Sequence, residues 1–90
     1  MTIFQIECFL AVAEHLNFAR AATQLNVSQP AITRQIHTLE AELGTQLFIR
    51  STRMVRLTEN GRIFQSDAQL MVNAARRSIQ RFASQDESKI

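Results

Sequence analysis

Cysteine, glycine, proline and lysine are all scarce in this 90-residue chain, and the scarcities exclude whole classes of protein. The one cysteine, Cys8, allows neither an internal disulfide framework nor a cysteine-based zinc site, and it fits a reducing compartment. With only Gly44 and Gly61, the chain cannot form a phosphate-cradling glycine loop. No apolar run approaches the roughly 18 residues of a membrane span. The opening TIFQIECFL carries Glu7 and no basic lead-in, so a soluble, unexported, cytoplasmic protein is expected, with no membrane partner. No internal repeat or low-complexity tract occurs. No paired carboxylates, Cys-His or Ser-His-Asp arrangement emerges, and His15 and His37 have no carboxylate or thiol at ligand spacing. An enzyme is therefore not expected, nor a cofactor or a metal.

What is present suits one small domain, since 46% of the residues are hydrophobic, enough for one core and too few for two. Formal net charge is only +2, but its placement is uneven. Nine of the ten cationic residues are arginine, and the run Gly44 to Thr58 holds Arg50, Arg53 and Arg56 with no acid. Arginine favours planar, forked hydrogen bonding to phosphate or bases, so this run reads as a nucleic-acid patch more than as a solvated hairpin.

Thr2 and Gln5 form a capping-box pattern, and Ile6, Phe9, Leu10, Ala13 and Leu16 recur at helical spacing, predicting a helix over about 3–15. Asn17 caps a second helix, Phe18 to Leu25, whose Ala21 and Ala22 permit close helix approach. Asn26, Val27 and Ser28 make a turn: Asn tolerates the left-handed conformation, Val27 plugs the angle, and Ser28 caps a third helix. Pro30 falls in the first turn of that helix, where its missing N–H is harmless, and Gly44 ends it after Leu43.

On the third helix Ile32, Ile36, Leu39 and Leu43 form a core stripe, leaving Pro30, Arg34, His37 and Ala41 on the other side. That side is short and polar, as insertion into a DNA major groove about 12 Å wide demands. Gln29, Pro30, Thr33 and Arg34 are the expected base readers: Gln29 for adenine, Arg34 for guanine, Thr33 for a thymine methyl or a phosphate. Gln29 can instead cap the helix or hold a phosphate, and Arg34 can pair with a nearby acid. Ser28 can add its hydroxyl to a phosphate after capping, His37 can reach a phosphate or remain a surface residue, and Arg20 can touch the backbone or stay solvated.

Leu47–Arg50 and Met54–Leu57 alternate as a two-stranded wing with Ser51, Thr52 and Arg53 between them. Thr58 caps a last helix from Glu59 to about Ser84, in which Phe64, Ala68, Met71, Ala75, Ile79 and Phe82 supply an apolar stripe near the coiled-coil repeat. Folding back on its own domain accounts for Ile63 and Phe64 but leaves Met71, Ala75, Ile79 and Phe82 poorly covered, so a second copy is expected against this helix. Arg76, Arg77 and Arg81 serve solubility and pairing across the dimer. The expected organisation is a DNA-binding unit at 1–58, a dimerisation helix at 59–84 and a flexible tail at 85–90, in a mainly helical winged helix-turn-helix fold.

The segments FLAVAEHLNFARAATQLNVSQPAITRQIHTLEAELGTQLFIR and RLTENGRIF, in this order and spacing, resemble the N-terminal DNA-binding module of LysR-type transcriptional regulators. The resemblance extends to about Ser84. It implies a bacterial, nucleoid-associated protein that binds double-stranded DNA as a homodimer, its long helices antiparallel, on an interrupted dyad. It also implies that Ser28 to Gln35 enters the major groove and that the hairpin Arg50–Arg56, with Ser51, Thr52 and Arg53, follows the backbone or the adjacent minor groove. Family members continue into an effector-sensing domain, through which a small-molecule signal and tetramer assembly would act, and these 90 residues do not contain it. The readings set against this one are a winged-helix protein-interaction module and a short repressor that forms mixed dimers. An interaction module would tolerate acids among Gln29 to His37 and in the wing, where this chain has none.

Overall fold

The computed structural model describes residues 1–88, with side chains to residue 83. Three helices, α1 (Ile3–His15), α2 (Phe18–Leu25) and α3 (Gln29–Leu43), precede a hairpin of β1 (Phe48–Arg50) and β2 (Val55–Leu57) and the long α4 (Glu59–Ser88). The helix ends lie where the capping chemistry puts them. Thr2 and Gln5 bond reciprocally to each other's backbone N–H at 3.0 Å, closing the capping box of α1. Asn17 and Ser28 accept from Arg20 and Ala31 N–H at the starts of α2 and α3. Asn26 (φ 59°) and Gly44 (φ 70°) end α2 and α3 in the left-handed conformation. Leu16 ends α1 the same way (φ 50°), with no side chain that favours it, in a one-residue link before Asn17 caps α2.

The core lies between α1 and everything else. Phe9, fully buried, meets Phe64 of α4 edge-on at 5.0 Å and Phe48 of β1 at 5.3 Å between ring centroids. Phe48 in turn meets Phe18 of α2 at 6.0 Å. From α3, Ile32, Ile36 and Leu39 complete the core, as the helical stripe predicts.

The strands pair antiparallel, with Phe48 opposite Leu57 and Arg50 opposite Val55. Each is one residue shorter than predicted. The Leu47 N–H is taken by Glu40 of α3, and Met54 belongs to the turn, its carbonyl accepting from Ser51 N–H at 2.9 Å.

The long helix corrects the sequence reading in three places. It continues to Ser88, because nothing after Ser84 is a glycine or proline stop, so residues 85–88 extend the helix where a tail was expected. Residues 89–90 of that tail lie outside the described residues. Phe64 (8% exposed) and Ala68 (0%), assigned to dimerisation, are covered by their own domain together with Val72, which the heptad reading passed over. Ile63, expected to fold inward, is 62% exposed. The reason is phase: α1 fills the side of α4 that carries Phe64, Ala68 and Val72 at steps of four, and Ile63 sits one residue, about 100° of turn, away.

The two glycines should respond differently to substitution. A Cβ on Gly61 would lie 2.2 Å from the Leu47 carbonyl oxygen, so Gly61→Ala should destabilise by about 1–3 kcal/mol by forcing backbone apart. At Gly44 a Cβ meets nothing within 4 Å, and Gly44→Ala should lose about 1–2 kcal/mol through its positive φ alone. Urea titration checks both; a loss at Gly61 well under about 1 kcal/mol would contradict the packing described.

Candidate nucleic-acid interface

An acid-free surface is built from α2, the first part of α3 and the hairpin. No acidic residue occurs from Asn17 to Leu39 or from Gly44 to Thr58, and these two stretches carry Arg20, Arg34, Arg50, Arg53 and Arg56. All five side chains are exposed. Among the described residues the only ion pair joins the Met1 amino group to Glu42 at 2.6 Å, so these arginines face solvent uncompensated. Arg34 thus has no acidic partner there, although the sequence left that open.

Along α3, Gln29, Pro30, Thr33, Arg34 and His37 line one shallow recess. Gln29 also borders a second recess formed by Asn17, by Phe18 and Ala19 of α2, and by Arg50 to Val55 of the wing. The sequence-predicted readers are therefore brought together, and Gln29 joins them to Arg50, Ser51, Thr52 and Arg53. Arg20 and Arg56 are exposed but line neither recess. Ser28, and not Gln29, caps α3, its Oγ accepting from Ala31 N–H at 3.2 Å.

The wing is held from both ends. At its tip the Ser51 hydroxyl accepts from Met54 N–H at 3.2 Å and Arg53 N–H at 3.4 Å, which fixes the turn that presents Arg53. At its base the Arg50 guanidinium lies 3.9 Å over the Phe18 ring, a cation–π contact that ties the wing to the start of α2. On the α3 side, Glu40 Oε2 accepts from Leu47 N–H at 2.7 Å and Phe48 N–H at 3.3 Å. Sequence reasoning missed both ties. Glu40 lies only seven residues before Leu47, yet nothing in helical periodicity says that a half-buried acid turns toward a strand start.

Elsewhere, His15 Nε2 hydrogen-bonds Gln24 Oε1 and links the ends of α1 and α2. No group of three or more His, Cys, Asp or Glu side chains among the described residues is placed to hold a metal ion. No described helix is long and apolar enough to cross a membrane.

A capped helix-turn-helix whose second helix presents a cationic, acid-free face, followed by an arginine-bearing wing, defines a winged helix-turn-helix module. Residues 3–62 match the family described as "Bacterial regulatory helix-turn-helix protein, lysR family". The chain belongs to this family of transcriptional regulators. It is similar to the transcriptional regulator TfdS of Cupriavidus pinatubonensis, 43% identical over 90 residues that make up all of this chain and 30% of TfdS. It is also similar to XapR of Escherichia coli, 55% identical over 67 residues, 73% of this chain and 23% of XapR. The chain thus spans about 30% or less of these curated relatives. Among solved structures, the CbnR DBD–DNA complex superposes with a TM-score of 0.89 at 45% identity, covering 96% of this chain and 99% of that one. The BenM DBD complex with catB site 1 DNA gives 0.88 at 33% identity, covering 93% and 94%.

Cys8 is remote from this surface and fully buried in the core. Burial, with the nearby Glu7 carboxylate second, pushes its thiol up to about 11. A raised thiol leaves folding stability intact below the unfolded value near 9.0 and erodes it as pH climbs from there toward 11. Stability should therefore fall between those limits in the native protein, with a smaller decline in Cys8→Ala. An aromatic disulfide reagent at pH 8 should label Cys8 only after denaturant is added; fast labelling of the folded protein would contradict its burial.

Proposed function

We propose that this chain is the DNA-reading part of a bacterial transcriptional regulator, binding double-stranded DNA sequence-specifically as a homodimer on an interrupted dyad. The carrying observation is the acid-free, arginine-bearing surface that joins the exposed face of α3 to the wing. Family membership and the likeness to two DNA complexes support the same reading. The role is one of binding and not catalysis, in the compartment that holds the chromosome.

In this reading α3 enters the major groove, where Gln29 reads adenine and Arg34 guanine, with Thr33 and Pro30 against base edges or methyl groups. Ser28, Arg20 and His37 approach the phosphates flanking the helix, and Arg50, Ser51, Thr52, Arg53 and Arg56 follow the backbone or the adjacent minor groove. Arg50 keeps its stacked place over Phe18 while its outer nitrogens face the phosphates. Selection of bound sequences from random duplex DNA should return an interrupted palindrome; no enrichment over random sequence would sink this reading. Gln29→Ala and Arg34→Ala should each lose about 1–3 kcal/mol and relax selectivity at one position per half-site. Arg53→Ala should weaken binding to all sequences alike and flatten the dependence of log K on log salt by about one unit per protomer. An unchanged slope would place the wing in solvent.

The partner copy is expected on the free face and overhang of α4. Ile79 (71% exposed) and Phe82 (60%) carry on the helical phase of Phe64, Ala68 and Val72 but are uncovered, and Leu70 (66%) joins Ile63 on the opposite side of the helix. Met71 and Ala75 remain half-buried at the boundary. An apolar set of this size on one helix calls for a cover. Phe82→Asp and Ile79→Asp should shift the protein to monomer at micromolar concentration in sedimentation, and reduce binding to a full dyad far more than to one half-site. A dimer that survives both changes would move the interface elsewhere.

A further inference from the structure

The short segment Thr45–Phe48, which links α3 to the wing and includes the first residue of β1, is bonded on one side to the reading helix and on the other to the start of α4. On the α3 side, one oxygen of Glu40 accepts the N–H groups of both Leu47 and Phe48. Toward α4, the Leu47 carbonyl accepts Thr58 N–H at 3.0 Å, and the Gln46 carbonyl accepts the Thr58 hydroxyl at 2.7 Å. The same Thr58 hydroxyl accepts Gly61 N–H at 2.9 Å, capping α4, while Asn60 donates to the Thr45 hydroxyl at 2.8 Å. Gly61 closes the joint, because its missing side chain lets α4 lie directly on the Leu47 carbonyl. The Leu47 side chain is fully buried beneath this joint. A single peptide segment therefore carries three hydrogen bonds from Thr58 and Asn60, at the start of α4, back to one carboxylate on α3.

We propose that this joint, with Glu40 and Thr58 as its positioning residues, fixes the direction in which α4 leaves the reading head and so sets which spacing between half-sites the dimer accepts. This rests on the DNA-reading function proposed above, and it concerns residues that touch neither base nor phosphate. The helix makes the joint sensitive. A rotation of about 10° at Thr58 moves a point 20 residues along α4 by about 5 Å, more than the roughly 3.4 Å between successive base pairs. The partner doubles the displacement, since each half of a symmetric pair carries the same joint. A charged acceptor makes a stronger bond than a neutral one, and at 2.7 Å the Glu40–Leu47 contact has the short length of such a pair, with Phe48 N–H at 3.3 Å as its second donor.

The test is a spacing series: one selected half-site alone, and two copies whose separation changes one base pair at a time. Wild type should favour one spacing by about tenfold over its neighbours, because other spacings twist or bend the DNA. Thr58→Val should hold the single half-site within about twofold of wild type, yet favour the best spacing by only about threefold, since the protein now absorbs the misfit; Glu40→Ala, which also frees the wing base, should flatten the spacing profile to the same extent once its dyad binding is divided by its own half-site binding. Thr58→Ser should restore the wild-type profile, and Glu40→Gln, which keeps an acceptor oxygen, should lie between. Circular dichroism and melting confirm that each variant is folded. Folded variants with the wild-type spacing profile overturn the inference, as does a loss of single half-site affinity equal to the loss on the dyad. A wild-type protein that selects no sequence overturns the DNA-reading proposal itself, a result distinct from either.

Discussion

The burial of Phe9 is the contact on which the other elements depend. It stands between Phe64 and Phe48, and through Phe48 reaches Phe18 and the Arg50 guanidinium stacked on it. This chain of rings runs from the long helix through the core to the base of the wing. Each ring is contributed by a different element, so α1, α2, β1 and α4 are located by one another and not by their connecting turns. In so small a domain, few other residues could do this. Four of the six phenylalanines form the chain, and Phe4 and Phe82 remain exposed.

Around that core the polar contacts divide the molecule by charge. Two acids of α3 beside the reading surface are absorbed in structural roles: Glu40 holds the wing base and Glu42 the amino terminus. The arginines of α2, α3 and the wing are left with no acid in their own stretches of chain. A mild net charge of +2 thus coexists with a strongly one-signed face. Local placement, and not total charge, makes a surface suited to a polyanion. The placement follows from two ordinary devices, an apolar stripe that turns α3 outward along its polar side and a serine-capped turn that holds the wing tip.

Most of the local structure was legible because each helix carries its own start and stop. Thr2, Asn17 and Ser28 open α1 to α3, and Asn26 and Gly44 close α2 and α3, all through hydrogen bonds or backbone preferences confined to a few neighbouring residues. The exposure of Gln29, Arg34 and His37 was legible for the same reason, since the period of 3.6 needs no partner to define a face. The cation–π tie of Arg50 to Phe18 was not legible, nor was the grip of Glu40 on Leu47. Both join elements whose relative position no local signal encodes.

The long helix shows the boundary most clearly. Its existence, its Thr58 cap and its surplus of apolar side chains belong to the sequence, because propensity and capping act within a turn or two. Which of those side chains face inward was decided only when α1 packed against one side, taking Phe64, Ala68 and Val72 and leaving Ile63, Leu70, Ile79 and Phe82 outside. A heptad stripe and a packing face nearly coincide here and drift apart by only about 20° per heptad, so the pattern alone does not say which of them covers a given side chain. Packing chooses, because only the tertiary arrangement states where Phe9 stands.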